Sequence, residues 1–294
     1  DITDGTNVTV DTTIPTITGT TISSNNVNLQ VTFSEFVVNT SSYTDAGLIY
    51  TVTANGSSNY IFNGSGLTDS AQPSISLFVG QTVTFSVSSS VNSSHPLIIG
   101  TVAESNDNND IITTSDSRLT STVDGDNTLI SFTPYDNGTF YYYCDYHSGM
   151  GNSMVVTGGL EPSDFTVEIA GGVATVAANP TSLSSTNNTL FDLTLDVTNA
   201  SSANGNEVLT VKPTNATSIF DKVGNPMVVE QSNNTVNLND LALPTINTLT
   251  ISSNNSIKSN YAGENDIVTL NITASEDIVT PTVVFKSNNV EVTN

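Results

Sequence analysis

Along the whole chain, short apolar runs alternate residue by residue with Thr, Ser and Asn, and Gly, Asn and Pro punctuate them. Helical periodicity is nearly absent. A period of two between frequent turn residues predicts an all-β protein built of sandwiches. At 294 residues, two or three such domains are expected. Strand-like runs occupy 16–22, 27–35, 37–38, 50–54, 62–67, 76–86, 162–169, 173–176, 190–197, 207–211, 245–251, 266–273 and 282–285. Residues 1–13 read as one strand ending at the Pro15 boundary.

Composition narrows the partners. The chain has 28 acidic and 5 basic residues and a formal net charge of −23. Binding nucleic-acid phosphates requires Lys and Arg to displace counterions, so that class is excluded. Docking on anionic lipid is disfavoured for the same reason. Charged residues are only 11%, and Asn, Ser and Thr fill the remaining surface. Such a surface stays soluble by self-repulsion and attracts cations. No run of eighteen apolar residues is present, so no helix is expected to insert in a membrane. No signal peptide is recognised, and Asp1 reads as the start of a processed or excised chain. Twelve Asn-x-Ser/Thr sequons, from Asn7 to Asn271, favour an extracellular protein carrying N-linked glycans.

The chemistry concentrates in 141–150, Tyr-Tyr-Tyr-Cys-Asp-Tyr-His-Ser-Gly-Met. This stretch holds the sole cysteine, Cys144, and one of two histidines, His147; the other, His95, sits in 92–99, a run read as a strand end. A lone cysteine rules out a disulfide framework and is ordinarily an inert buried thiol. One thiolate, two imidazoles and the Met150 thioether together form a ligand set that selects copper. Met154 is a rival for the thioether, but it alternates with Val155 in a strand-like run and reads as packing.

An upstream His followed by a Cys-x2-His-x2-Met loop is the cupredoxin arrangement, and residues 47–157 resemble that family. The short ligand loop is most similar to the amicyanin type. The resemblance implies a Greek-key barrel holding one mononuclear type 1 copper through His95, Cys144, His147 and Met150. The flanking runs resemble bacterial or archaeal Ig-like surface-protein repeats. Residues 31–35, Val-Thr-Phe-Ser-Glu, carry this likeness, as does the recurrence of 21–26, Thr-Ile-Ser-Ser-Asn-Asn, at 250–255. Together these imply a discontinuous Ig-like host at 14–46 and 158–240, with the cupredoxin inserted at 47–157 and Gly158-Gly159 as return hinge. Residues 241–294 then begin a partial Ig-like unit, and residues 1–13 resemble the last strand of such a repeat.

Loop oxygens of the repeats, at Glu35, Asp164, Asp221, Asn225 and the Asn239-Asp240 pair, are candidate calcium ligands. The plainer reading of each is a turn former or a solvated carboxylate.

No P-loop, Rossmann fingerprint or zinc-type cysteine cluster is found, and both histidines are claimed by the metal reading. A single mononuclear site makes catalysis the least favoured class, so no enzyme is expected. The expected role is a structural subunit of an extracellular cell-surface assembly, a filament or S-layer, bearing a copper site. The alternative is a copper electron-transfer protein tethered by Ig-like domains, its partner docking around the His147 edge among Asp145, Tyr146 and Ser148. Self-assembly is expected through terminal strands. An apolar face at 243–294, formed by Ile267, Leu270, Ile272, Val283 and Phe285, would receive residues 6–11 of a neighbour, with Val8 and Val10 on one side. The competing expectation is that these residues were cut from a longer tandem array.

Overall fold

A computed structural model of the chain describes residues 11–104, 107, 109–287 and 289–291. The protein is all-β, and two compact units divide it, 1–240 and 241–294. The strand expected at 1–13, with Val8 and Val10, lies outside the described residues except for 11–13, which carry no strand.

In the first unit, a four-stranded antiparallel sheet runs in the order Ile17–Ile22, Asn28–Phe33, Leu190–Thr194, Ser182–Ser185. A three-stranded sheet, Phe165–Ala170, Val208–Pro213 and Thr235–Asn237, faces it. Alternation decides which side chains turn inward: Leu29, Val31 and Phe33 are buried while Asn28 and Thr32 are exposed. Phe33 meets Phe191 edge-on at 5.6 Å and Phe165 at 6.3 Å, so one aromatic knot spans both sheets.

Between the strands of this host lie two further sheets from residues 48–157. One runs Ile111–Ile112, Leu97–Gly100, Gly138–Cys144, Gly151–Thr157, Ile75–Phe78. The other runs Leu119–Asp124, Asn127–Phe132, Val83–Ser88, Leu48–Asn55, Asn59–Gly64, Leu67–Ala71. Their core is rich in aromatics: Phe62 lies 4.9 Å from Tyr142, 5.8 Å from Tyr50 and 5.9 Å from Phe85. A two-residue ribbon, Val37–Val38 against Phe220–Asp221, joins host and insert. Val37 belongs to the host core, whereas Val38 and Phe220 belong to the insert core.

Residues 241–294 hold the hairpin Ile246–Ser253 with Val268–Ala274 and a short pair, Lys286–Ser287 with Val290–Glu291. This hairpin repeats the host's first one in register. Ile22 faces Leu29 and Ile251 faces Leu270, and the two hairpins slip at the equivalent points, Ile17/Gly19 and Ile246/Thr248. The closing bonds recur too: Thr16 N–H donates to Ser34 Oγ at 3.0 Å, and Thr245 N–H to Ser275 Oγ at 2.9 Å. Packing differs, however. Leu29 and Val31 are wholly buried, whereas their equivalents Leu270 and Ile272 are only half-buried.

The expected apolar face of this unit needs correction. Leu270 and Ile272 share a face of their strand, but Ile267 precedes it, and Val283 and Phe285 lie in irregular chain. The run at 282–285 forms no strand, because no neighbouring strand among the described residues completes its backbone hydrogen bonds.

Candidate metal centre

The ladder between Leu97–Gly100 and Gly138–Cys144 builds the site. It pairs Leu97 with Cys144, and beyond it the Asp145 N–H donates to the Pro96 carbonyl at 3.0 Å. His95, two residues before Leu97, therefore arrives beside the end of the cysteine strand. The sequence pattern predicts a strand end there; instead His95 closes a six-residue helix, Ser89–Ser94, its N–H donating to the Val91 carbonyl at 2.7 Å.

After Cys144 the chain loops through His147 and returns. Cys144 N–H donates to the Met150 carbonyl at 2.8 Å, closing the loop at its base. Glu104 accepts from Ser148 Oγ at 3.1 Å and from the Gly149 N–H. The returning strand starts at Gly151, where no side chain fits: a Cβ there would lie 2.3 Å from the Tyr142 carbonyl oxygen.

Three donors converge. His95 Nδ1 is 3.2 Å from His147 Nδ1, which is 3.4 Å from Cys144 Sγ, and all three atoms lie within 4.8 Å of one another. Two imidazole nitrogens whose lone pairs face each other repel unless a proton or a metal stands between them. A metal bonded at roughly 2.0 Å to nitrogen and 2.3 Å to sulfur, at tetrahedral angles, holds such pairs about 3.3 and 3.5 Å apart. The His95–His147 and His147–Cys144 separations fit that geometry. Cys144 is 5% exposed and both histidines are half-buried, so the site sits just beneath the surface, with Tyr146 beside it 64% exposed. Met150 is fully buried in the same core as Cys144. Met154 is also buried, in register with Phe140 and Ile75, as a packing residue.

Three residues that support the site carried no signal in the sequence. Tyr60, Gln72 and Glu104 each reach it from a distant segment, and Gln72 and Glu104 do so with left-handed backbones, at φ 45° and 51°. Tyr60 donates through its hydroxyl to the His95 carbonyl at 2.8 Å. Burial, and then the adjacent Cys144, push its phenol far above the ordinary tyrosine range.

The candidate calcium ligands separate. Glu35 and Asp221 cluster with Asp11, which the sequence did not suggest, their carboxylates within 4.8 Å. Asn225 stands beside them, donating through Nδ2 to Asp221 Oδ2 at 2.8 Å and to the Asp11 and Thr13 carbonyls at 3.1 Å. Burial first, then Asp221 and Asp11, raise the Glu35 carboxyl. Asp164 and Asp240 stand outside this cluster, and Asp164 accepts the Glu161 N–H at 2.8 Å in a capping box.

No protein-family model and no curated protein matches this chain. Solved structures similar to it include rusticyanin from Thiobacillus ferrooxidans, 15% identical with a TM-score of 0.25 over 38% of this chain and 76% of that one. A second is the multicopper oxidase McoA of Aquifex aeolicus, 12% identical with a TM-score of 0.24 over 67% and 66%. A third is the titin I9–I11 tandem, 12% identical with a TM-score of 0.20 over 70% and 93%. Scores this low add nothing to the donor geometry.

Proposed function

We propose that this protein binds one copper ion through His95, Cys144 and His147, with the Met150 thioether as the weak fourth ligand, and serves one-electron transfer. The observation that carries this reading is the convergence of Nδ1, Nδ1 and Sγ at 3.2 and 3.4 Å. Soft thiolate and thioether donors with two imidazoles are the set that electron-transfer copper centres use. Bound there, copper would supply single-electron exchange. The chain's own part is to hold the donors in place, keep water from the buried Cys144, and leave the His147 edge near solvent. Titration with Cu(II) should saturate at one equivalent with an intense visible thiolate charge-transfer band. Stoichiometric zinc binding with a colourless Cu(II) product overturns the copper reading.

A second reading concerns setting. The hairpin at Ile246–Ala274 repeats the host's first hairpin down to its bulge, which supports a chain of repeated Ig-like units. On this reading the copper domain is displayed on a glycosylated cell-surface filament or lattice. Identical subunits would then join where the uncovered hairpin meets residues 6–11 of a neighbour. Deleting residues 1–13 should turn polymer into monomer under electron microscopy; unchanged particles exclude that contact.

A further inference from the structure

The two segments that carry the donors are braced from a single place on the opposite sheet, 95–96 at His95 itself and 144–150 just beyond its end, at Gly151 and Asn152. Tyr60, wholly buried, is the second residue of the strand Asn59–Gly64 and sends its hydroxyl to the His95 carbonyl at 2.8 Å. Its own carbonyl accepts the Gln72 N–H at 3.0 Å. The Gln72 side chain then holds Asn59 through Nε2 at 2.8 Å and accepts the Gly151 N–H through Oε1, one residue beyond Met150. The Gln72 carbonyl also receives Asn152 Nδ2 at 2.7 Å. Gln72 does this at φ 45°, a backbone state that a non-glycine residue keeps only when its surroundings enforce it.

We propose that Tyr60 and Gln72 form one positioning brace for the copper centre, Tyr60 setting His95 and Gln72 setting the Cys144–Met150 loop. This rests on the copper reading only for its effect on metal; the hydrogen bonds of the brace join protein atoms alone. Outer-shell residues that orient ligands typically govern metal affinity by about ten- to a hundredfold.

The experiment uses the full chain without metal and then with Cu(II). With only two histidines, their ring C–H signals in proton NMR are simple to assign. In the metal-free protein, Tyr60→Phe should move chiefly the His95 signals and Gln72→Ala chiefly those of His147. Tyr43→Phe, which removes another hydroxyl bonded to a backbone carbonyl (Val79, at 2.9 Å), should move neither. With Cu(II), both brace variants should still bind one equivalent, about tenfold more weakly, with a shifted charge-transfer band. Histidine signals that stay at wild-type positions in both brace variants, or move equally in Tyr43→Phe, overturn the brace. A wild-type protein that takes up no Cu(II) overturns the copper reading instead, and the metal-free spectra still decide the brace.

Discussion

His95 and His147 present their Nδ1 atoms to each other at 3.2 Å although fifty-two residues separate them. Each is fixed by backbone rather than by the other: His95 by the helix end and Tyr60, His147 by a loop closed between Cys144 and Met150. Backbone contacts from separate segments thus set both rings around one point. Metal that binds only the native state adds to its stability, by about 2.7 kcal/mol at a free concentration of one hundred times Kd. Thermal unfolding with and without Cu(II) should show that gain. Cys144→Ser should lose both the gain and the visible band, and a Cys144→Ser protein that keeps either counts against the assignment.

Glu207 is a second buried group with a defined task. It is wholly inaccessible, and its carboxylate accepts the N–H groups of Val173 at 3.1 Å and Asn204 at 3.0 Å. Burial raises its pKa, yet backbone N–H donors, its own among them, outweigh that and hold the carboxyl below the ordinary glutamate value. Glu207→Ala strands those donors and should cost about 2–3 kcal/mol in denaturant unfolding. Because the folded pKa is depressed, this contribution is present above the ordinary value of 4.5 and is lost as pH falls through the folded one. Gly172→Ala should be comparably damaging: at φ +60°, its Cβ would lie 1.9 Å from Glu207 Oε1.

The strands were legible because alternation with Thr, Ser and Asn has one structural meaning, and Leu29, Val31 and Phe33 follow it. His95, Cys144 and His147 stood out through their rarity together with the Cys-x2-His-x2-Met spacing. The helix Ser89–Ser94 was not legible: six residues rich in Ser have little intrinsic helicity, and the Ser88 hydroxyl, accepting the Val91 N–H, marks its start. Gln72 and Glu104 were hidden because their roles depend on left-handed backbone that no local pattern announces. Asp11 joined Glu35 and Asp221 only through tertiary placement.

That carboxylate cluster makes its own forecast. Burial and two neighbouring carboxylates raise the Glu35 pKa, so the folded state holds its proton more tightly than the unfolded chain. The associated stability is full below the ordinary value of 4.5 and fades as pH rises through the raised one. At neutral pH in chelator, Glu35→Gln should therefore raise the melting temperature. Added Ca2+ discriminates further: wild type should gain stability only if the cluster holds a cation, and Glu35→Gln should then lose that gain. A Glu35→Gln protein less stable than wild type in chelator would contradict the repulsion.

Removing the insert tests how far the host stands alone. The host's own sheets come from 17–33 and 165–237, and their core closes without residues 47–157. The seam is another matter. Val38 and Phe220 are buried in the insert core, and beside them Lys222 meets Asp45 at 3.1 Å while lying 4.5 Å over the Phe36 ring. Replacing 47–157 with a short glycine linker should thus leave a host that folds cooperatively but exposes two apolar side chains at the ribbon. Phe220→Ala separates these effects by a change of magnitude. In the full chain it should cost about 3 kcal/mol, as the loss of a buried phenylalanine does. In the shortened chain, where nothing covers that ring, the same substitution should fall within about 0.5 kcal/mol of neutral. Equal costs in both backgrounds would place Phe220 in the host core instead, and a shortened chain without cooperative unfolding would show that host and insert fold as one.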